Sequence, residues 1–194
     1  MKKLNSDQAL QELMIGNIRY AGGKSIYPNQ TVEHRTKAVK GQNPFAAVIT
    51  CSDSRVSPEF IFDRGIGDLF VIRVAGNIVN DEILGSVEYA VKHLGVRLVM
   101  ALGHTNCGAI NAAVKGGYSE SHIGSLLEAI KPAIEIAKNK PGVLTSNTTI
   151  VNIEMVVERL KSSEQIIGRL VENEKLKIIG ALYDLNIGAV EIIK

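Results

Sequence analysis

The sequence predicts an α/β fold in which helices flank a mostly parallel central sheet, with about four parallel strands and a C-terminal edge strand. Short unbroken apolar runs recur along the chain, and segments with apolar residues at helical spacing separate them. Such runs are typical of strands buried on both faces, and their alternation with helices indicates a parallel sheet. The four runs cover residues 45–50, 69–74, 96–102 and 176–182.

Helical patterns precede the first strand and fill the intervals between the later ones. A first helix is predicted over residues 7–21, which Asn5 or Ser6 can cap and Gly22-Gly23 ends. Pro132 is expected to kink or restart one of the later helices, because proline lacks the backbone donor of a helix interior. Residues 188–193 predict a final edge strand. The later helices are predicted over residues 82–94, from near 106 onward, and over 121–139, 148–161 and 163–173.

The chain has the length and composition of a single domain. Its 194 residues, 45% of them hydrophobic, can bury a sizeable core, which is not typical of a disordered chain. Residues 1–40 are predicted to form an N-terminal helical arm of this domain. The apolar stripe of the arm, which includes Leu13 and Ile18, can pack on its own domain or on a partner subunit, and the sequence leaves both options open.

Charge and hydropathy patterning argue against several classes of protein. The formal net charge is only +2, and lysines and arginines do not cluster or interleave with aromatic residues, so nucleic-acid binding is not expected. No stretch approaches the roughly 18 consecutive apolar residues of a membrane-spanning helix. Met1-Lys2-Lys3 is followed by no apolar segment of the kind that forms the core of a signal peptide, and we therefore expect a cytoplasmic protein.

Both cysteines of the chain lie in short loops that follow predicted strands. Cys51 comes directly after the 45–50 strand, and His104 and Cys107 follow the 96–102 strand. Because parallel neighbouring strands end at the same edge of a sheet, we expect two thiolates and one imidazole to converge there. This soft donor set suits Zn²⁺, and three protein ligands leave one tetrahedral position free, as in catalytic zinc sites. Taken singly, a buried core cysteine, a disulfide or chance spacing would explain each feature, but their joint occurrence favours a metal site.

Asp53 and Arg55 lie two and four residues beyond Cys51, close enough to act on the free position. A zinc-bound water there would have its pKa lowered to roughly 7, which yields a hydroxide nucleophile at neutral pH. The rigid fork of Arg55 can clamp the Asp53 carboxylate, which then accepts a hydrogen bond from the hydroxide. The sequence also permits a second state, in which Asp53 leaves Arg55 and becomes the fourth ligand. Gly108 can bring its backbone N–H near the metal-bound group at a helix N-terminus.

The two motifs together resemble those of the β-class carbonic anhydrases. The resemblance rests on Cys51-Ser52-Asp53-Ser54-Arg55 and His104-Thr105-Asn106-Cys107-Gly108, and it extends from near residue 7 to the C-terminus. It implies one Zn²⁺ per subunit held by Cys51, His104 and Cys107, with Asp53 and Arg55 as the catalytic dyad. It also implies a homodimer or a dimer of dimers, in which the N-terminal helix packs across the dimer.

The resemblance assigns roles to further residues around the substrate, which is CO₂ in this family. Gln42 corresponds to a glutamine that donates a hydrogen bond toward the substrate across the dimer interface. Phe70, Ala75 and Tyr89 correspond to positions that line an apolar CO₂ pocket, and Ala75 is smaller than the valine often found there.

The chain departs from the members of the family that have a bicarbonate-inhibited form. Those members carry a tryptophan three residues before the first cysteine ligand, where this chain has Val48. Arg73 matches the arginine of that inhibitory site, but Ser57-Pro58 is similar to the subgroup without it. We therefore expect the open form of the site, with Asp53 paired to Arg55 at neutral pH.

The implied activity is the reversible hydration of CO₂ to bicarbonate and a proton by metal-bound hydroxide. One alternative is hydrolysis of carbonyl sulfide or carbon disulfide on the same zinc site. Another is a non-catalytic zinc- or bicarbonate-binding protein, although structural zinc would need neither Asp53 nor Arg55. A redox protein is disfavoured because the two cysteines do not form a Cys-x-x-Cys pair.

Overall fold

A five-stranded sheet forms the centre of the computed structural model, which describes residues 3–116, 122–163 and 166–193. The strand order is β2-β1-β3-β4-β5. β1 pairs in parallel with β2 and β3, β3 pairs in parallel with β4, and β5 is antiparallel to β4. The prediction of four parallel strands with a C-terminal edge strand is confirmed. The strands are β1 (Ala46–Thr50), β2 (Leu69–Arg73), β3 (Leu98–His104), β4 (Lys177–Tyr183) and β5 (Val190–Ile192).

Eight α-helices surround the sheet in the described part of the chain, and a 3₁₀ turn at Ala75–Asn77 follows β2. Residues 121, 164 and 165 of the predicted helices lie outside the described residues. Of the described helices, α2 and α3 had no counterpart in the sequence patterns. The helices are α1 (Ser6–Ala21), α2 (Val32–Ala38), α3 (Pro58–Ile61), α4 (Asp81–Lys92), α5 (Gly108–Lys115), α6 (His122–Ala137), α7 (Leu144–Lys161) and α8 (Ile167–Glu172).

The expectation that Pro132 would restart its helix is wrong, because α6 continues through this residue to Ala137. Pro132 and the residue four positions earlier, Glu128, are both exposed. The carbonyl that loses its helical donor therefore belongs to the solvent side of the helix, where water can replace the missing backbone N–H.

Alternate residues of the central strands are buried on opposite faces of the sheet. One face, which includes Ile49 and Ala101, packs against α4, α7 and α8. The other face, which includes Val48 and Met100, packs against α1 and residues around α3. Because β1 and β3 are covered on both sides, the positions of their carboxyl ends are fixed by packing.

Helix α1 packs on the sheet of its own chain through one side. Leu13 is buried in the same core cluster as Val48, and a Cβ atom at Gly16 would lie 1.8 Å from the carbonyl oxygen of Phe62. The opposite side of the helix is open, and Ile18 is 70% exposed. Among the described residues, the helices are all too short or too polar to cross a bilayer.

Candidate metal centre

Two sulfurs and one imidazole meet at the carboxyl ends of β1 and β3. The ligand atoms of Cys51, His104 and Cys107 all lie within 4.8 Å of one another, and all three side chains are buried. The two Sγ atoms are 4.0 Å apart, and both cysteines are free. The parallel pairing of β1 with β3 produces this convergence, and the Thr50 hydroxyl reinforces it by donating to the Leu102 carbonyl at 2.9 Å.

The imidazole of His104 leaves one ring nitrogen free of hydrogen bonds within the described part of the chain. Its Nδ1 lies 2.9 Å from the carbonyl oxygen of Thr105, which can only accept, so Nδ1 carries the hydrogen. Nε2 is buried and has no hydrogen-bond partner among the described residues. A buried lone pair without a partner destabilises a fold by about 1–3 kcal/mol. A cation shared with the two sulfurs would satisfy it, and the residues therefore fit a zinc ion.

The two thiols form a hydrogen bond with each other, in which either sulfur can be the donor. A hydrogen bond from Cys107 lowers the pKa of Cys51 to about 4 against the effect of burial, with help from the backbone amides of Gly76 and Asp53. The same hydrogen bond raises the pKa of Cys107, and burial raises it further. Cation binding would release protons from the cysteines, because zinc is held by the thiolate form.

The Asp53 carboxylate is held by a two-pronged ion pair with Arg55. Nε of Arg55 donates to Oδ1 at 2.9 Å and Nη2 donates to Oδ2 at 2.7 Å, while the Arg55 backbone N–H donates to Oδ1 at 3.0 Å. The hydrogen bonds from the Arg55 side chain hold the pKa of Asp53 well below its usual range. Asp53 Oδ2 lies 3.9 Å from Nε2 of His104, so the ionised carboxylate faces the cluster. This is the paired arrangement expected for the open form.

Arg73, which matches the arginine of the inhibitory bicarbonate site, is engaged with the loop after β1. Its Nε donates to the Cys51 carbonyl at 3.1 Å and its Nη2 donates to the Asp53 carbonyl at 2.6 Å. Val48, at the position of the missing tryptophan, is fully buried in the core. The guanidinium therefore fixes the backbone that carries one candidate ligand and the carboxylate.

Two of the residues assigned to the substrate pocket lie beside the cluster. Ala75 begins the 3₁₀ turn whose next residue, Gly76, donates its N–H to Cys51 Sγ at 3.3 Å. Gly108 begins α5 directly after Cys107, and no atom of the described residues outside its local chain lies within 4 Å of the position of a Cβ. Gly108 is exposed, so the start of this helix is open to solvent.

Comparisons with known proteins agree with this fold and cluster. Residues 46–190 match the model of the carbonic anhydrase family. The chain is 34% identical over 192 residues to carbonic anhydrase 2 of Mycobacterium tuberculosis, a match that covers 97% of this chain and 93% of the relative. Its structure resembles that of the β-carbonic anhydrase CcaA with a TM-score of 0.75 and 25% identity, over 95% of each chain.

This chain belongs to the β-carbonic anhydrase family. The fold is also that of the tetrameric β-carbonic anhydrases of Sordaria macrospora, with a TM-score of 0.76 at 24% identity over 95% of this chain and 96% of that one. The family relationship makes this protein a carbonic anhydrase enzyme, as the two sequence motifs predicted.

Three of the residues assigned to the carbonic anhydrase substrate pocket lie away from the cluster of their own chain. Phe70 pairs with Ala47, four residues before Cys51, which corresponds to about 13 Å along the strand. Tyr89 is 47% exposed, and its ring centroid lies 6.2 Å from that of Phe70. Gln42 lines a cleft of about 560 Å³ near the amino ends of the strands. One chain alone does not bring these side chains to the cluster.

The structure adds a residue to this carbonic anhydrase site that the sequence reasoning missed. Asn152 of α7 is buried and donates from Nδ2 to the Gly76 carbonyl at 3.0 Å. The sequence pattern does indicate that Asn152 is buried, because it lies on the same helical stripe as the buried apolar residues Val156 and Leu160. A polar side chain on such a stripe needs a buried partner.

Proposed function

We propose that this carbonic anhydrase binds one Zn²⁺ per subunit through Cys51, His104 and Cys107 and catalyses the reversible hydration of CO₂ to bicarbonate and a proton. The observation that carries the proposal is the buried Nε2 of His104, which has no hydrogen-bond partner in the described ranges, beside two cysteine sulfurs in a cluster whose ligand atoms lie within 4.8 Å of one another. When bound, zinc supplies a Lewis acid that lowers the pKa of water to roughly 7.

Asp53 and Arg55 would act on the solvent molecule that reacts with CO₂. The Asp53 carboxylate can accept a hydrogen bond but cannot donate one, so it favours a species that carries a proton over an anion that does not. Both of its oxygens accept hydrogen bonds from Arg55. Arg55 therefore restrains the carboxylate from taking a position among the metal ligands and aims its free lone pair at the reacting oxygen.

Ala75 and Gly108 would border the substrate within the same chain. The Ala75 methyl group offers an apolar surface next to Cys51, and the Gly108 amide lies at the N-terminal end of α5, where partial positive charge favours a developing anion. CO₂ is apolar whereas bicarbonate is charged, so a site with both surfaces suits both sides of the equilibrium.

We also propose that Gln42, Phe70 and Tyr89 complete the site of a partner subunit in a homodimer or a dimer of dimers. Their distance from the cluster of their own chain and the exposure of Tyr89 support this placement. The N-terminal arm, residues 1–40, would contribute to the same interface through its exposed side, which includes Ile18. A cytoplasmic location fits the site, because a reducing compartment keeps both thiols available for the metal.

Metal analysis combined with a stopped-flow CO₂ hydration assay tests the zinc site. We expect one zinc per chain and rapid hydration in the parent protein, and we expect Cys107→Ser to lose zinc and activity together. An active protein without metal, or a fully active Cys107→Ser variant, would overturn the proposal. Assays of the same preparation with carbonyl sulfide and carbon disulfide compare these substrates with CO₂.

A mixed dimer tests whether Gln42 serves the partner subunit. A Gln42→Ala chain and a Cys107→Ser chain, carrying different affinity tags, form a dimer with one complete site if Gln42 acts across the interface. We expect this mixed dimer to recover about half of the parent activity, since one of its two sites is intact. A mixed dimer of Asp53→Asn and Cys107→Ser chains is the matched control, because Asp53 acts within its own chain. Equal activity of the two mixed dimers would refute the placement of Gln42.

A further inference from the structure

We infer that Asn152 is a positioning residue for the metal centre, because its side chain fixes Gly76, whose N–H donates to the Cys51 sulfur. The inference rests on the proposed function, since it concerns the same zinc ligands. Asn152 bonds the Gly76 carbonyl and not the sulfur itself, so its influence on the metal would pass through the backbone of Gly76.

Both backbone groups of Gly76 are engaged in the protein interior. Its N–H donates to Cys51 Sγ at 3.3 Å, and its carbonyl oxygen accepts from Asn152 Nδ2 at 3.0 Å. Asn152 is only 4% exposed, and it reaches this turn from a helix 76 residues further along the chain. The turn that follows β2 is thus tied at one point to the candidate ligand and at another to α7.

The backbone conformation of Gly76 is unusual, so the direction of its N–H depends on the contacts that hold this residue in place. Its φ of 72° lies in the left-handed region, and a Cβ atom would approach Ile130 Cδ1 to 2.8 Å. The turn contains only three residues, so it has little hydrogen bonding of its own to define its orientation. A side chain that anchors the Gly76 carbonyl therefore limits the rotation of the residue that carries the N–H.

The hydrogen bond from Gly76 matters to a metal because it acts on a donor atom. Cys51 Sγ accepts this N–H at 3.3 Å and the Asp53 N–H at 3.4 Å. Such bonds orient the sulfur before a cation arrives and withdraw charge from the thiolate afterwards. Loss of outer contacts that hold ligands commonly weakens metal binding 10- to 100-fold. Because Asn152 acts through one intermediate residue, we expect an effect of roughly tenfold, at the lower end of this range.

Asn152→Leu and Asn17→Leu form a matched pair of variants. Asn17 is also buried, and its side chain bonds backbone groups of Ile61, Gly188 and Val190, none of which is a candidate ligand. Each substitution keeps the number and branching of the side-chain heavy atoms and removes hydrogen bonds to buried backbone, so both variants should lose stability. We expect the zinc Kd, measured by competition with a chelator, to rise roughly tenfold in Asn152→Leu and to stay at the parent value in Asn17→Leu.

A spectroscopic measurement separates an effect on the sulfur from a general loosening of the fold. In the cobalt-substituted protein the thiolate-to-metal charge-transfer band reports the charge on sulfur, and it should shift in Asn152→Leu but not in Asn17→Leu. Parent values of both Kd and band position in Asn152→Leu would overturn the inference.

A measurement on the unsubstituted chain covers the case in which Asn152→Leu does not fold. With ¹¹³Cd in the site, the Gly76 amide proton should show a scalar coupling to the metal across the Cys51 sulfur, and absence of this coupling overturns the inference. A parent chain that binds neither zinc nor cadmium refutes the proposed metal site itself, and the role of Asn152 with it. Normal metal binding without the coupling, or with an unaffected Asn152→Leu variant, refutes the role of Asn152 alone.

Discussion

Replacing Asp53 with asparagine isolates the role of the carboxylate, because the substitution keeps the size of the side chain and removes its charge. In the structure Asp53 accepts three hydrogen bonds from Arg55. An amide oxygen at Oδ1 can retain two of them. The amide nitrogen at the position of Oδ2 would face Nη2 of Arg55 donor to donor, at a position where the two atoms are now 2.7 Å apart. The fork must therefore open.

The expected loss of activity follows from which functions the substitution removes. The three candidate ligands are unchanged, and the backbone N–H of residue 53, which donates to Cys51 Sγ at 3.4 Å, remains. Zinc content should therefore stay at one per chain. The substitution removes the hydrogen-bond acceptor that faces the reacting solvent molecule. Positioned acid–base groups typically raise the reaction rate 10²- to 10⁴-fold. We expect kcat/KM for CO₂ hydration to fall about 1,000-fold, in the middle of this range.

Stopped-flow hydration with a pH indicator, paired with metal analysis of the same sample, measures both quantities. Glu135→Gln is a suitable control, because Glu135 is an exposed carboxylate whose ion pair with Lys138 lies on the surface. Full zinc content together with activity within about threefold of the parent would contradict the role of Asp53, since this loss is far smaller than that of a positioned group.

Three further variants test the framework around the site. Burial raises the pKa of Asp63, but hydrogen bonds from Arg19 and two backbone amides outweigh it and lower the pKa. The ionised carboxylate therefore stabilises the fold fully above the unfolded pKa of about 4, and this contribution is lost as the pH falls through the folded pKa. We expect the free energy of unfolding of Asp63→Asn, measured in urea, to depend less on pH below about 4 than that of the parent. Leu13→Ala removes a fully buried side chain and should lower the free energy of unfolding by about 2–5 kcal/mol in urea denaturation, whereas a loss below 1 kcal/mol would show that α1 does not depend on this contact. Arg73→Gln removes the guanidinium that donates to two carbonyls of the loop after β1. We expect the free energy of unfolding in urea to fall by about 1–2 kcal/mol and the CO₂ hydration activity to decrease. Unchanged stability and activity would contradict the role of Arg73 in holding the loop.

The strands could be predicted because the signal for them is local. A strand buried on both faces needs an unbroken apolar run, and the predicted bounds of the four parallel strands lie within two residues of those in the structure. Helix bounds were less accurate, because surface residues carry little signal. Helix α7 begins at Leu144 rather than near 148, and the solvent-facing Pro132 does not interrupt α6.

The sequence by itself determined the chemistry available at the site. Cys51, His104 and Cys107 are the donors, and their positions after two apolar runs place them at strand ends in any parallel sheet. Residue type and spacing also indicated that Asp53 and Arg55 accompany the first cysteine, because groups two residues apart in a loop can meet without help from the rest of the fold.

Only the tertiary structure decided which distant groups act on those donors. The contact between Asn152 and Gly76 joins residues 76 positions apart, and the hydrogen bonds from Arg73 depend on the pairing of β1 with β2. The separation of Phe70 from the cluster of its own chain follows from strand register. Periodicity and propensity act within one element, whereas such contacts depend on how the layers pack together, and the free energy of that packing is spread over the whole core.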